Sequence, residues 1–236
     1  MIPSFLKALP VPGVLRRLLV EVAVAERERG GSDLEHVRQW PDRLDSFEDL
    51  TFLFTSTILA HGVASLRLDE AAYLHRLVRG THPETVVEIG RFRGGSTIII
   101  AAALERGLLH SYDIEIRQGR DGAELDRQLR KALERYELTD RVRLHVADSR
   151  SAEPPPGPVD LLFVDGDHSE EGVRADFEHW SPQLQPGGHL LFHDAVDAPD
   201  FVSPSVSGPA RVADSIGDDF ERRAGAGSIA HFVRRL

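Results

Sequence analysis

The sequence predicts an α/β fold: a mainly parallel sheet closed by an antiparallel C-terminal hairpin and preceded by an N-terminal helical layer. Three observations carry this. From Pro83 onward, short β-rich runs alternate with helical stretches, the rhythm of parallel strands joined by crossover helices. Two runs, VDLLFVD (159–165) and HLLF (189–192), are almost entirely apolar, as strands buried on both faces are. Residues 1–80 show no strand alternation and read as helices.

The helical layer has three candidate elements. Residues 13–29 carry Val14, Leu15, Leu18, Leu19 and Val22 at helical spacing. Residues 46–62 open with Ser46, have Asp49 three positions on, and stop at Gly62. Residues 69–80 take Asp69 as cap, Leu74, Leu77 and Val78 as apolar face, and Gly80 as stop. Strands are expected at 85–90, 108–115, 141–148, 159–165 and 187–194, with helices at 96–107, 123–138 and 169–184 between them and a proline loop at 151–158. A helix is expected at 208–217, and residues 219–223 and 228–236 flank 224-AGAG-227 as the closing hairpin. The division is a helical segment at 1–80, capping the acceptor side, and a sheet domain at 81–236.

Composition removes several function classes. With 28 Lys and Arg against 38 Asp and Glu, the net charge is −10; nucleic acid and anionic membrane, which reward cationic surface, are not the expected partners. The absence of cysteine removes disulfides, thiolate metal sites and cysteine nucleophiles. Pro10, Pro12, Arg16, Arg17 and Glu21 interrupt the first apolar segment, and 52–66 is too short and polar to span a bilayer. The reading is a soluble, cytoplasmic protein whose oligomeric state stays open, a homo-oligomer included.

The stretch 86-VVEIGRFRGGSTI-98 ends a strand on flexible, polar backbone. In doubly wound sheets the ligand lies at the carboxyl ends of the strands. There Gly90 and Gly94 allow a tight turn and close approach, and the helix opening at Ser96 offers free N–H groups. A dinucleotide fingerprint needs G-x-G-x-x-G, but Phe92 stands at the middle glycine. Glu88 suits a ligand that carries an ammonium as well as a carboxylate. Two further strands end in acid and histidine: Asp165, Asp167 and His168 after one, His193 and Asp194 after the next. Adjacent strands lie about 4.8 Å apart, so these ends converge.

The run 88-EIGRFRG-94 resembles the first motif of class I S-adenosylmethionine-dependent methyltransferases, acid-x-Gly-x-x-x-Gly. The resemblance covers roughly 83–236 and implies a Rossmann-like sheet binding S-adenosylmethionine. It places Glu88, Gly90, Gly94 and Ser96 at the methionine end, Asp113 (with Glu115 as alternative) at the ribose, and Asp148 and Ser149 beside the adenine. The phrases 165-DGDHSEEG-172 and 186-PGGHLLFHD-194 resemble the family that includes macrocin-type sugar and natural-product O-methyltransferases, and more distantly catechol O-methyltransferases. That likeness implies a divalent cation, Mg²⁺ or Mn²⁺, on Asp165, His193 and Asp194, with Asp165 also touching the cofactor. Asp167 matches the relatives' basic acid, and His168 stands where the catechol enzymes carry a lysine. His193 departs from the second acid usual there; imidazole suits a softer metal, or no metal at all.

The implied reaction is methyl transfer to a hydroxyl of a small molecule, such as a sugar, with Asp167 or His168 taking the proton. An NAD-dependent enzyme on the same sheet and a non-catalytic S-adenosylmethionine-binding protein remain as alternatives. Arg91 and Arg93 read as solvated or as steering an acidic acceptor, and Phe92 and Trp180 as packing. His61, His75, His110, His145 and His189 have no partner pattern. Acceptor selectivity is expected from the helical layer, especially 41–54, and from 197–210, a candidate lid.

Overall fold

The computed structural model describes residues 41–54, 63–114, 116–117, 120–196 and 207–236. The expected helix at 13–29, the second half of 46–62, Glu115, His61 and most of the candidate lid lie outside them.

Seven strands form the main sheet: β1 (Thr85–Ile89), β2 (Leu108–Asp113), β5 (Val142–Val146), β6 (Val159–Val164), β7 (Leu184–Phe192), β8 (Phe220–Arg223) and β9 (Ala230–Arg234). Their order is β5-β2-β1-β6-β7-β9-β8. The first five run parallel; β9 pairs antiparallel with β7, and β8 with β9. The order reverses between β1 and β6, which opens a crevice above their carboxyl ends. A separate two-stranded ribbon, β3 (Ile116–Arg117) and β4 (Arg120–Asp121), was not anticipated, because two-residue strands carry no alternation to detect.

The helices are α1 (Leu68–Thr81), α2 (Gly95–Ala103), α3 (Gly122–Arg135), α4 (Glu170–Trp180) and α5 (Ser207–Asp214). Expected and observed ends differ by local chemistry. Arg67, not Asp69, is the N-cap of α1, because Glu70 Oε2 accepts the Arg67 N–H at 2.7 Å. Gly80 does not stop that helix; His82 does, in left-handed backbone (φ 48°) just before Pro83. Pro182 comes just after the end of α4, so the expected helix to 184 becomes a 3-10 turn at Ser181–Gln183. Ser46 and Asp49 pair as expected: Asp49 Oδ2 accepts the N–H groups of Asp45 and Ser46 at 2.9 and 2.8 Å. They open a 3-10 helix at Glu48–Phe54.

Two apolar layers sandwich the sheet. One joins Leu50, Leu53, Val63, Leu66, Leu74 and Val78 to α2 and α3 and the face of the sheet carrying Val86, Leu161 and Leu191. The other packs Val173, Trp180 and Val212 on Val87, Leu162, Leu190 and Phe192. The described part of the helical layer thus shares a continuous core with the sheet.

The turn after β1 depends on Gly90. Its φ is +83°, and an added Cβ would collide with the backbone carbonyl of Asp165 on the neighbouring strand end. That carbonyl is fixed because Asp165 N donates to Ile89 O at 2.8 Å. Gly90→Ala therefore meets both an unfavourable φ and an immovable wall. We expect a loss of roughly 2–4 kcal/mol, read as a lowered midpoint in denaturant unfolding; an unchanged midpoint would contradict the close approach.

Candidate active site

A cavity of about 470 Å³ opens above the switch point, lined among others by Gly90, Phe92, Asp113, Asp148, Ser149, Asp165, Asp167, His168, Asp176, His193 and Asp194. Most of the candidate site residues meet there; Glu88, Gly94 and Ser96 do not line it. Glu88 is fully buried on the α2 side of the sheet. Its Oε2 accepts from Thr97 Oγ1 and from Ser111 Oγ, both at 2.6 Å; Ser111 is its register partner on β2. Burial pushes its pKa up, against the hydroxyls of Ser111, Ser96 and Thr97. Gly94 is the left-handed N-cap of α2, with the Leu129 side chain where a Cβ would go.

Asp113, at the end of β2, bonds the loop itself. Its Oδ2 accepts the N–H groups of Arg91 and Phe92 at 3.0 and 3.1 Å. Two successive backbone donors that a phosphate would use are thereby taken by protein. Arg91 neither steers a ligand nor is solvated: it is 3% exposed, and its guanidinium bonds His145 O and Asp126 Oδ1 at 2.9 and 3.0 Å. Arg93 is buried too, its guanidinium 4.7 Å from the Phe92 ring centroid. Phe92 is partly exposed and faces the cavity, while Trp180 is packing, its Nε1 donating to Ser149 O at 2.9 Å.

At the other end, charges are interleaved. His193 Nδ1 donates to Asp165 Oδ1 at 3.0 Å, and its Nε2 to Glu70 Oε2 at 3.2 Å. His168 lies with Nε2 3.3 Å from Asp165 Oδ1 and Nδ1 3.5 Å from Asp194 Oδ2. Burial opposes an imidazolium, but the acids outweigh it and raise His193 well above its ordinary value, chiefly through Asp165. His168 is raised likewise, by Asp165 and Asp194. Burial would lift Asp165, but His193 and His168 hold it well below the usual carboxylate range. Asp194, in left-handed backbone (φ 54°), is pushed up by burial and by Asp165. Asp167 is exposed, and its Oδ1 accepts the Ser169 N–H at 2.9 Å, at the entry to α4. Ser169 itself is the N-cap, accepting from Gly172 N at 3.0 Å.

This geometry bears on the expected cation ligands. His193 makes hydrogen bonds from both nitrogens, to Asp165 and Glu70, so as placed it offers no lone pair. The three side chains that bring one ligand atom each within 4.8 Å are Asp165, His168 and Asp194. Two carboxylates and an imidazole suit a borderline divalent ion such as Mn²⁺ better than Mg²⁺.

Several lining or supporting residues went unread in the sequence. Glu70 is 1% exposed on α1; its Oε1 accepts from Ser228 N and Oγ at 2.7 and 2.9 Å. Burial would raise it, but His193 and the N–H groups of Ser228 and Arg67 hold it at about 2. An acid one helical turn before Leu74 and two before Val78, on the buried stripe, was the available signal. Asp176 breaks the buried stripe of Val173 and Trp180 in the same way. Ser228, Ser65 and the histidine pairs carried no signal. His110 Nδ1 lies 3.1 Å from His145 Nε2, and His189 Nδ1 2.9 Å from His231 Nε2, the latter continued by Tyr73 Oη at 2.7 Å. These are structural partners.

The strand order, the glycine turn and the acid-rich switch point define the fold of class I methyltransferases. Residues 87–195 match the family model of a methyltransferase domain. The O-methyltransferase TomG from Streptomyces achromogenes, of tomaymycin synthesis and solved with S-adenosylmethionine, superposes with a TM-score of 0.57 at 18% identity, over 92% of this chain and 96% of that one. The Podospora anserina methyltransferase PaMTH1, bound to S-adenosylhomocysteine, gives 0.61 at 16% identity, over 97% and 98%. At such identities the likeness speaks to the fold. An uncharacterised protein of Sinorhizobium fredii is 30% identical over 125 residues, 50% of this chain but 14% of that protein.

Glu70→Gln would leave the His193 charge with one fewer acid partner. We expect a loss of about 3–5 kcal/mol near neutral pH. Glu70 falls from an ordinary 4.5 to about 2 on folding, so its contribution is present above 4.5 and lost as pH falls towards 2. His193 is raised above 6.5, so its contribution is present below 6.5 and lost as pH rises through its elevated value. Denaturant titrations of both proteins should therefore differ most between pH 4.5 and 6.5; a constant difference at all pH values would exclude the pairing.

Proposed function

We propose that the chain is an S-adenosylmethionine-dependent O-methyltransferase acting on a hydroxyl of a small molecule. The observation that carries this reading is the cavity itself: one continuous wall joins Asp113 and Ser149 to the Asp165–His168–Asp194 corner. A methyl donor laid along the sheet rim would have its ribose at Asp113, its base at Asp148 and Ser149, and its sulfonium facing the charged corner. The loop speaks against a dinucleotide, since Asp113 occupies the N–H groups of Arg91 and Phe92. The family match stands against the NAD-dependent alternative as well. TomG, named as an O-methyltransferase, agrees with an oxygen acceptor, and the net charge of −10 with a small molecule rather than nucleic acid. Among the described residues no helix is long and apolar enough to cross a membrane, in keeping with an aqueous location.

Transfer is an SN2 displacement: the acceptor oxygen forms a bond to the methyl carbon as the carbon–sulfur bond breaks, and the hydroxyl proton must leave. His168 lies on the cavity wall, 30% of its side chain exposed. Neutral His168 takes that proton, and Asp165 and Asp194 stabilise the imidazolium that results. His193, locked between Glu70 and Asp165, positions Asp165. A divalent ion held by Asp165, His168 and Asp194 would supply Lewis acidity that lowers the acceptor's pKa. With His168 so engaged, the proton would pass to Asp167, the neighbouring acid on the cavity wall.

Two measurements test this. Calorimetry should show S-adenosylhomocysteine binding to the wild type. Asp113→Ala should weaken that binding at least about tenfold, since both a ribose contact and the loop anchor go. Absence of binding to the wild type would end the reading. With a responsive hydroxylated acceptor, turnover should rise with pH through a value above 6.5, because Asp165 and Asp194 delay His168's loss of its proton. His168→Ala should remove that limb and slow turnover about 10²–10⁴-fold. If a chelator abolishes turnover and Mn²⁺ restores it, the ion-assisted form holds; methyl-donor binding without turnover on any acceptor would leave the non-catalytic alternative.

A further inference from the structure

Gly208 is the second residue of α5, and the place of its missing side chain is filled by the backbone that carries His168. A Cβ there would overlap His168 O and stand 2.7 Å from Glu170 N and 2.8 Å from the Ser169 carbonyl carbon. These are three main-chain atoms, so no flexible group can move aside. The helix therefore lies directly on the peptides that lead from His168 into α4. Those peptides are themselves pinned. Asp167 Oδ1 accepts the Ser169 N–H at 2.9 Å, Ser169 Oγ the Gly172 N–H at 3.0 Å, and Ser169 O the Val173 N–H at 3.0 Å. Beside the contact Arg211 Nη1 donates to Glu170 Oε2 at 3.1 Å. From beneath, α5 is anchored by Val212, fully buried in the core.

The His168 ring is held only at long range on its other side. Its Nε2 lies 3.3 Å from Asp165 Oδ1 and its Nδ1 3.5 Å from Asp194 Oδ2, at or beyond the long end of hydrogen bonding. The main chain is thus the fixed part of this residue. We infer that Gly208 is a positioning residue: by admitting α5 against the His168 carbonyl, it sets how far the imidazole reaches into the cavity. The inference rests on the reading of His168 as the proton acceptor. Helix propensity alone favours alanine over glycine at such a position, so propensity and contact predict opposite outcomes for one substitution.

The experiment compares the wild type, Gly208→Ala and Arg211→Ala, each isotope-labelled at histidine Cε1 for NMR, with the His168 signal assigned by its loss in His168→Ala. Gly208→Ala should move the His168 signal and leave the calorimetric affinity for S-adenosylhomocysteine unchanged. With an acceptor that the wild type methylates, kcat should fall about 10- to 100-fold at unchanged KM, the cost of misplacing a reacting group by about 1 Å. Rates are taken per S-adenosylhomocysteine site, which removes any difference in folded fraction. Arg211→Ala, which deletes only an exposed ion pair, should match the wild type in signal and rate. An unmoved His168 signal in Gly208→Ala, or a moved signal with unchanged kcat, overturns the inference. An equal shift in Arg211→Ala overturns it too, by assigning the role to the ion pair. Should Gly208→Ala not fold, Val212→Ala decides in its place. Truncating the anchor shifts α5 on its bed, and the His168 signal should follow; an unmoved signal rejects the coupling. A wild type that binds S-adenosylhomocysteine but methylates no acceptor overturns the proposed function, while the NMR comparison still decides whether Gly208 seats His168.

Discussion

The structure turns on one buried run of alternating charge: Glu70, His193 and Asp165, with Ser228 at one end and His168 and Asp194 at the other. Each carboxylate removed from water needs a donor, and each imidazolium needs an acid. The ladder satisfies both at once, Glu70 alone accepting from Ser228, Arg67 and His193. Four distant parts of the chain are thereby tied to one point: α1, the end of β6, the end of β7 and the turn before β9. The helical layer is consequently built into the wall of the charged corner. Tyr73, on the next turn of α1, adds a second tie through Oη to Ala224 O at 2.7 Å and to His231.

The opposite end of the cavity obeys a different physical logic. There the backbone is held by acids and hydroxyls: Asp113 takes two N–H groups of the glycine turn, and Glu88 secures Thr97 and Ser111 behind it. Cross-strand stacking stiffens this edge, with the Tyr112 and His145 ring centroids 4.3 Å apart and the rings nearly parallel. A rigid base-and-ribose end and a charged reacting end, joined by one cavity, are what positioning a donor against an acceptor requires.

Much of this was legible in the chain. The alternation of apolar runs with helical stretches pointed to the parallel strands, and the convergence of Asp165, His168, His193 and Asp194 came from two adjacent buried strands ending in polar residues. Roles were less legible than places. His193 reads as an ion ligand in the sequence, but Glu70, more than a hundred residues earlier, occupies its second nitrogen. Arg91 reads as solvated or steering, yet it is buried among backbone carbonyls and Asp126. Glu88 belongs to the ligand motif but points into the α2 side, where its hydroxyl partners are.

Sequence by itself determined the class of fold, the position of the glycine turn and the set of strand ends that form the crevice, because periodicity and turn chemistry are local properties of the chain. Tertiary structure alone decided which acid faces which imidazole, which nitrogen keeps a lone pair, and that Asp176 is buried against Ser149. Those are contacts between residues remote in the chain, and protonation and ligand capacity arise from such contacts rather than from residue type.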